Sequence, residues 1–69
     1  MSLNMAKPGE KGLIKKIGGE EKLVHFLQNI GFVAGSEVTV VSRMAGNLIV
    51  NVKDSRIAIS REMAEQIFI

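Results

Sequence analysis

The feature that most constrains the fold is a single helical pattern that ends at a glycine and gives way to strand patterns. In the segment EEKLVHFLQNI, Glu20–Ile30, apolar residues recur at the spacing i, i+3, i+4 and i+7, which places them on one face of a helix. These residues are Leu23, Phe26, Leu27 and Ile30. Gly19 precedes the segment as a permissive N-cap. We therefore predict one helix with an apolar stripe that packs into a core.

The end of this helix is predicted in detail. Gly31 fits the position after the helix where a left-handed backbone closes the last turn, because glycine has no Cβ to oppose that conformation. Leu27 and Phe32 then occupy the two positions whose hydrophobic contact usually accompanies such a stop. Val33–Ser36 suits a tight turn, with Gly35 at the position that needs a positive φ. The stop therefore turns Phe32 towards the core.

The remaining segments have the two-residue period of strands. Leu13–Ile17 is predicted as a short strand before the helix. After Glu37, one set of residues is expected to point inward: Val38, Val40, Leu48, Val50, Val52, Ile57 and Ile59.

In the strand that begins at Glu37, the alternation of side chains predicts which residues face the core and which face solvent. It places Met44 on the inner side with Val38 and Val40, and Thr39, Val41 and Arg43 on the outer side. We predict turns at Ala45–Asn47, with Gly46 and Asn47 supplying the unusual dihedrals, and at Asp54–Ser55.

The C-terminal segment REMAEQI allows one helical turn with Ala64 and Ile67 facing inward, and Phe68 and Ile69 form a last short strand. The order of strand, helix, three strands, helical turn and strand predicts a mostly β fold, a small closed barrel of about five strands. Residues 7–69 are expected to form this domain. Residues 1–6 are expected to be a disordered tail, and Met1–Asn4 are interpreted as preceding a native start at Met5.

Composition argues against several functions. The 69 residues include no cysteine and one histidine, His25, so a catalytic thiol and a thiolate metal site are excluded and no cofactor is expected. His25 and Glu21 share a helix face and could contact a transition metal only weakly, because one helix supplies too few ligands. A net charge of +2 and three phenylalanines with core positions argue against nucleic-acid binding. No apolar run of membrane-spanning length occurs, so we expect a cytoplasmic, non-enzymatic protein without membrane insertion.

The sequence resembles the FeoA family. The most specific parts are the L-x-x-x-G-F-x-x-G stretch, Leu27–Gly35, and the I-A-I-S-R-E-x-A-x-x-I ending, Ile57–Ile67. The resemblance covers roughly residues 7–69. It implies an SH3-like barrel with a helix inserted after the first strand. It also implies an accessory role in ferrous iron transport and homeostasis, as a partner of FeoB, the membrane transporter that carries a GTPase domain.

A protein-binding surface is the function that remains after these exclusions, since grouped apolar residues on a small soluble domain often mark a contact surface. We expect it to combine one side of the helix with the hairpin that follows, through Val24, His25, Gln28, Arg43, Met44, Asn47 and Ile49. A weak homo-oligomer is also compatible with the sequence. The alternatives are a free-standing relative of the SH3-like domain found at the C-terminus of metal-dependent repressors, and a small nucleic-acid-binding barrel.

Overall fold

The computed structural model describes all residues from 1 to 69. A 3-10 turn, Leu3–Met5, precedes the regular elements. These are β1 (Lys11–Leu13), β2 (Lys16–Ile17), α1 (Glu21–Asn29), β3 (Glu37–Met44), β4 (Asn47–Val52), β5 (Ser55–Ser60), α2 (Arg61–Glu65) and β6 (Ile67–Phe68). The predicted mostly β fold, with one inserted helix and a short C-terminal helix, is confirmed.

The strands form two antiparallel sheets. One has the order β1-β3-β4-β5 and the other pairs β2 with β6. The strand predicted at Leu13–Ile17 is in fact divided between them: the Ile14 amide donates to the Ser36 carbonyl, and the next amide, of Lys15, donates to the Phe68 carbonyl. The chain thus changes partner strands within two residues. The sheets do not close into one continuous ladder, which corrects the expectation of a closed barrel.

The predicted stop of α1 is confirmed. Gly31 has φ of +111°, and the Phe32 amide donates to the Leu27 carbonyl at 2.9 Å while the Gly31 amide donates to the Gln28 carbonyl at 3.1 Å. This pair of bonds is the Schellman pattern that closes a helix. Leu27 and Phe32 are both fully buried. The abrupt stop therefore delivers an aromatic ring into the core.

Two details of α1 differ from the sequence prediction. The N-cap is Glu20 rather than Gly19. Phe26, predicted as a core residue, is 49% exposed. At about 100° per residue Phe26 lies to one side of the buried Leu27, so the apolar stripe is wider than the surface that the sheet covers.

Replacing Gly31 with alanine is expected to lower the free energy of unfolding by about 1–2 kcal/mol, the cost of a left-handed backbone for a residue with a Cβ. The added Cβ would lie 3.6 Å from Val52 Cγ1, an ordinary contact, so the loss comes from the backbone alone. Asparagine tolerates positive φ better, so Gly31→Asn should lose less. Urea unfolding of both variants measures this, and equal losses would contradict the backbone explanation.

A β-bulge in β3 changes which residues face the core. The register with β4 shifts between Val40 and Ser42, so Val41 is the extra residue. After the shift, Arg43 pairs with Leu48, which points inward and is 1% exposed. Residues directly opposite each other share a face of the sheet. The predicted sides of Arg43 and Met44 were therefore exchanged, because simple alternation cannot include an extra residue.

In both tight hairpins the unusual dihedrals lie one residue earlier than predicted. The first has positive φ at Ala45 (51°) and Gly46 (83°), and Asn47 already belongs to β4. The second has positive φ at Lys53 (49°) and Asp54 (64°). Two consecutive positive φ values are the signature of the type I′ turn, which matches the twist of the flanking strands.

The hydrophobic core draws on both sheets, both helices and the N-terminus. Its buried members are Leu3, Ala6, Ile14, Leu27, Phe32, Val38, Val40, Leu48, Val50, Val52, Ile59, Ala64 and Ile67. Apart from Met44, the inward positions predicted for β3 and β4 are thus confirmed, as are those of Ala64 and Ile67. Ile57 is partly buried and packs against this cluster.

Residues Met1–Ala6, here called the N-terminal strap, are part of the folded domain. Leu3 is 0% and Ala6 is 1% exposed, and the 3-10 turn packs against α2 and β6. Ser2 forms an isolated antiparallel bridge with Phe68. The expectation of a disordered tail over residues 1–6 was therefore wrong. The sequence offers only two buried side chains in this segment, too few to form a recognisable periodic pattern.

Candidate interaction surface

The hairpin of β3 and β4 presents an uncharged patch on the solvent side of the larger sheet. Met44 pairs with Asn47, and Ile49 pairs with Ser42 on one side and with Ala58 on the other. We call these five residues the outer patch. Met44 is 66% exposed, Asn47 and Ala58 are exposed, and Ser42 and Ile49 are half-buried. Three of the residues predicted to bind a partner, Met44, Asn47 and Ile49, are therefore brought together.

Arg43 lies on the opposite face of the sheet from the outer patch, because it pairs with the inward-pointing Leu48. Its guanidinium holds the N-terminal strap: Nη1 donates to Asn4 Oδ1 at 3.2 Å, and Nη2 donates to the carbonyl oxygens of Asn4 and, at 3.1 Å, of Ala6. Hydrogen bonds from a charged donor are stronger than neutral ones. Arg43 thus has an internal role that the sequence did not indicate.

The residues of the predicted surface that belong to α1 lie apart from the tip of the hairpin. His25 and Gln28 are exposed and Val24 is half-buried. A Cβ on Gly31 would touch Val52 at 3.6 Å, so α1 ends beside the Val52 end of β4. The turn at Ala45 and Gly46 is at the other end of that strand, about 17 Å away for six residues. Gln28, one helical turn before Gly31, is therefore not brought to the tip of the hairpin.

Two exposed features were missed at the level of sequence. Phe26 lies on the opposite flank of α1 from Gln28, since the two are about 160° apart on the helix. An open polar groove also lies near the turn between β4 and β5, lined by Ser36, Glu37, Thr39, Asn51, Lys53 and Asp54. The groove combines residues from two separate segments, 36–39 and 51–54. The pairing of β3 with β4, which sets Thr39 opposite Asn51, brings them together, and no local pattern encodes it.

The structure contains neither a cluster of metal-binding side chains nor a helix that could span a membrane. No three His, Cys, Asp or Glu side chains come together in a group that could hold a metal ion. His25 and Glu21 are both exposed on α1, and no third ligand joins them. No helix reaches the length and hydropathy that crossing a bilayer requires.

Comparison with known proteins identifies the family. Residues 1–69 match the FeoA domain family over their full length. A protein of Methanocaldococcus jannaschii, provisionally named Fe(2+) transport protein A, is 34% identical over 67 residues, which cover 97% of this chain and 82% of that protein. The match includes the strap as well as the sheets.

Solved structures agree with this assignment. A crystal structure described as an iron uptake regulatory protein, FeoA, superimposes with a TM-score of 0.89 at 25% identity, covering 97% of this chain and 91% of the other. The fold is also that of Stenotrophomonas maltophilia FeoA, described as a procaryotic SH3 domain protein and solved with zinc (TM-score 0.86, 22% identity, 99% and 87% covered). The SH3-like architecture is thereby confirmed. On the family match and the 34% identical relative, the chain belongs to the FeoA family.

Proposed function

We propose that this protein is a non-enzymatic accessory subunit that binds an FeoB-type ferrous iron transporter from the cytoplasm and supports or regulates Fe(II) uptake. The observation that carries the proposal is the full-length family match together with a relative named for Fe(2+) transport. The name of the S. maltophilia protein, suggested to act as a ferrous iron transport activating factor, agrees with it.

The outer patch is the proposed contact surface. An exposed methionine beside a half-buried isoleucine offers an adaptable apolar contact, because the thioether side chain adjusts its shape to the partner. The patch carries no formal charge, and depletion of charge is typical of the centre of a protein interface. Val24, His25 and Gln28 on α1 are proposed as a second contact, separate from the outer patch.

Binding of this protein would regulate the transporter by favouring one of the transporter's conformational states. Binding changes an equilibrium only when the contacts differ between the two states of the partner. A GTPase region changes its switch segments with the bound nucleotide. We therefore expect the affinity of this protein for that region to depend on the guanine nucleotide present.

Isothermal titration calorimetry against the soluble GTPase region of the same organism's transporter tests this proposal, with GDP, with a non-hydrolysable GTP analogue and without nucleotide. Met44→Lys is expected to weaken binding about tenfold or more, since a charge is forced into the interface. Because Met44 is 66% exposed, its replacement should leave the fold intact.

Leu13→Lys is the matched control. Leu13 is 60% exposed on a strand, but it pairs with Glu37 at the other end of the sheet, so its replacement should not alter binding. Equal losses for both variants would indicate nonspecific charge effects. Absence of binding in every nucleotide state would contradict a contact with the GTPase region.

The repressor-related alternative has support at the level of fold. A manganese-dependent transcriptional repressor superimposes with a TM-score of 0.89 at 20% identity, over 97% of this chain and 39% of the repressor. That likeness shows the shared fold alone. If the transporter region fails to bind, a titration against the DNA-binding part of a repressor is the next experiment.

A further inference from the structure

The N-terminal strap is held against the domain by three separate kinds of contact, and the surface that it covers is here called the groove. Its first residue pairs with the C-terminal strand: the Met1 ammonium donates to the Ile69 carbonyl at 3.0 Å, and the Ile69 amide donates to the Met1 carbonyl at 2.9 Å. Its third residue, Leu3, is 0% exposed and packs with the core. Its fourth and sixth residues, Asn4 and Ala6, present carbonyl oxygens to the guanidinium of Arg43.

These contacts are those by which a domain binds an extended peptide. Backbone pairing with a free strand edge gives affinity, and a pocket for a side chain gives specificity. Here the edge belongs to the C-terminal strand, the pocket receives the leucine, and Arg43 fixes the direction of the segment through the carbonyls. The strap thus shows which ligand the groove accepts.

The connection between strap and sheet would allow the strap to leave. Lys7–Glu10 forms a turn in which the Glu10 amide donates to the Lys7 carbonyl at 3.0 Å, and Gly9 has φ of +92°. All four of its residues are exposed. The strap could therefore pivot at this turn, and the buried side chains that would leave the core with it are its own Leu3 and Ala6.

We propose that the groove beneath the strap is a peptide-docking site, which the strap closes in cis and which an extended segment of a partner protein can occupy in trans. The partner segment would supply backbone groups for the edge at Ile69, a leucine-like side chain for the Leu3 pocket, and carbonyl oxygens for Arg43. This proposal goes beyond the transport role and does not depend on the identity of the partner.

The fraction of molecules in which the strap occupies the groove determines the apparent affinity of the groove for any competing segment. When the binding-competent state is a small fraction of the population, the apparent dissociation constant rises in inverse proportion to that fraction. A tethered segment also competes at an effective concentration of the order of millimolar. Weakening the strap without altering the groove should therefore reveal binding that the wild type conceals.

The experiment uses full-length protein and a synthetic peptide with the sequence of residues 1–6, a free N-terminus and an amidated C-terminus. Leu3→Ser in the protein weakens the strap, and the peptide retains leucine. Titration followed by NMR shifts of the Phe68 and Ile69 amides should show binding to Leu3→Ser about tenfold or more tighter than to the wild type. Light scattering of the same samples should show no dimer.

Two controls separate groove binding from nonspecific adhesion. A peptide with aspartate in place of Leu3 should not bind, and adding Arg43→Ala to the Leu3→Ser protein should abolish binding of the normal peptide. If Leu3→Ser does not fold, Asn4→Ala replaces it, since this variant removes only the 3.2 Å contact with Arg43 and keeps every core side chain. Failure of the peptide to bind either folded variant would overturn the proposal. Exchange of straps between two copies, seen as a dimer, would overturn it as well.

Discussion

Replacing Phe32 with alanine is expected to leave most of the protein unfolded in buffer at room temperature. Phe32 is 0% exposed and is the largest of the fully buried side chains. Truncation of a buried phenylalanine typically costs about 3–5 kcal/mol, through lost transfer free energy and the cavity left behind. A core of this size rarely supplies a net stability above about 3–5 kcal/mol, so the loss equals or exceeds the whole. There are no disulfides to compensate.

Phe26→Ala is the matched control for this prediction. It removes the same atoms from a ring that is 49% exposed, so the change in stability should be a small fraction of that for Phe32→Ala. The chain contains no tryptophan or tyrosine, so urea unfolding is followed by far-ultraviolet circular dichroism. Comparable losses for the two variants would mean that Phe26 is covered in solution, by self-association or otherwise.

Replacing Leu3 with alanine is expected to lower the free energy of unfolding by about 2–5 kcal/mol, the range for a buried leucine. The reason is that Leu3 is a fully buried member of the core cluster. Urea unfolding measures the change. A disordered tail would instead make this substitution neutral, so the result distinguishes an integral strap from an accessory tail.

Met5→Ala is the control for the strap prediction. Met5 lies two residues along the same strap and is 71% exposed, so its truncation should change stability by no more than about 0.5 kcal/mol. If both variants were neutral, the strap would not be docked in solution. In that event the groove beneath it would be open already, and the wild type itself should bind the six-residue peptide.

The features of the fold that the sequence predicts correctly are those that depend on interactions between residues close together in the chain. The stop of α1 was predicted to the residue, because Gly31 and Phe32 act on hydrogen bonds within one helical turn. The inward positions of β4 were likewise correct, because alternation is unbroken between Asn47 and Val52. Local rules suffice where the chain pairs without interruption.

The failures have non-local causes. The bulge at Val41 depends on the register of β3 against β4, so alternation placed Arg43 and Met44 on each other's side. The exposure of Phe26 depends on how much of α1 the sheet covers, and a helical pattern alone does not measure that coverage. The buried strap depends on contacts with α2 and β6, some 60 residues away along the chain.

The grouping of residues in the outer patch was predicted in part for the same reason, while their role in binding stays a prediction. Met44, Asn47 and Ile49 are close in sequence and share a hairpin, so their grouping was accessible. The groove that includes Ser36, Thr39 and Asp54 draws on residues brought together only by the sheet. Charge and composition could not locate it, since its lining carries both signs.

The pairing of Met1 with Ile69 has a further consequence for the architecture. The first and last residues exchange two backbone hydrogen bonds, at 3.0 and 2.9 Å, so the two ends of the chain lie side by side. Domains whose termini are close together tolerate insertion into other proteins and circular permutation. A host protein could therefore carry residues 1–69 as an insertion whose two connections, at Met1 and Ile69, lie next to each other.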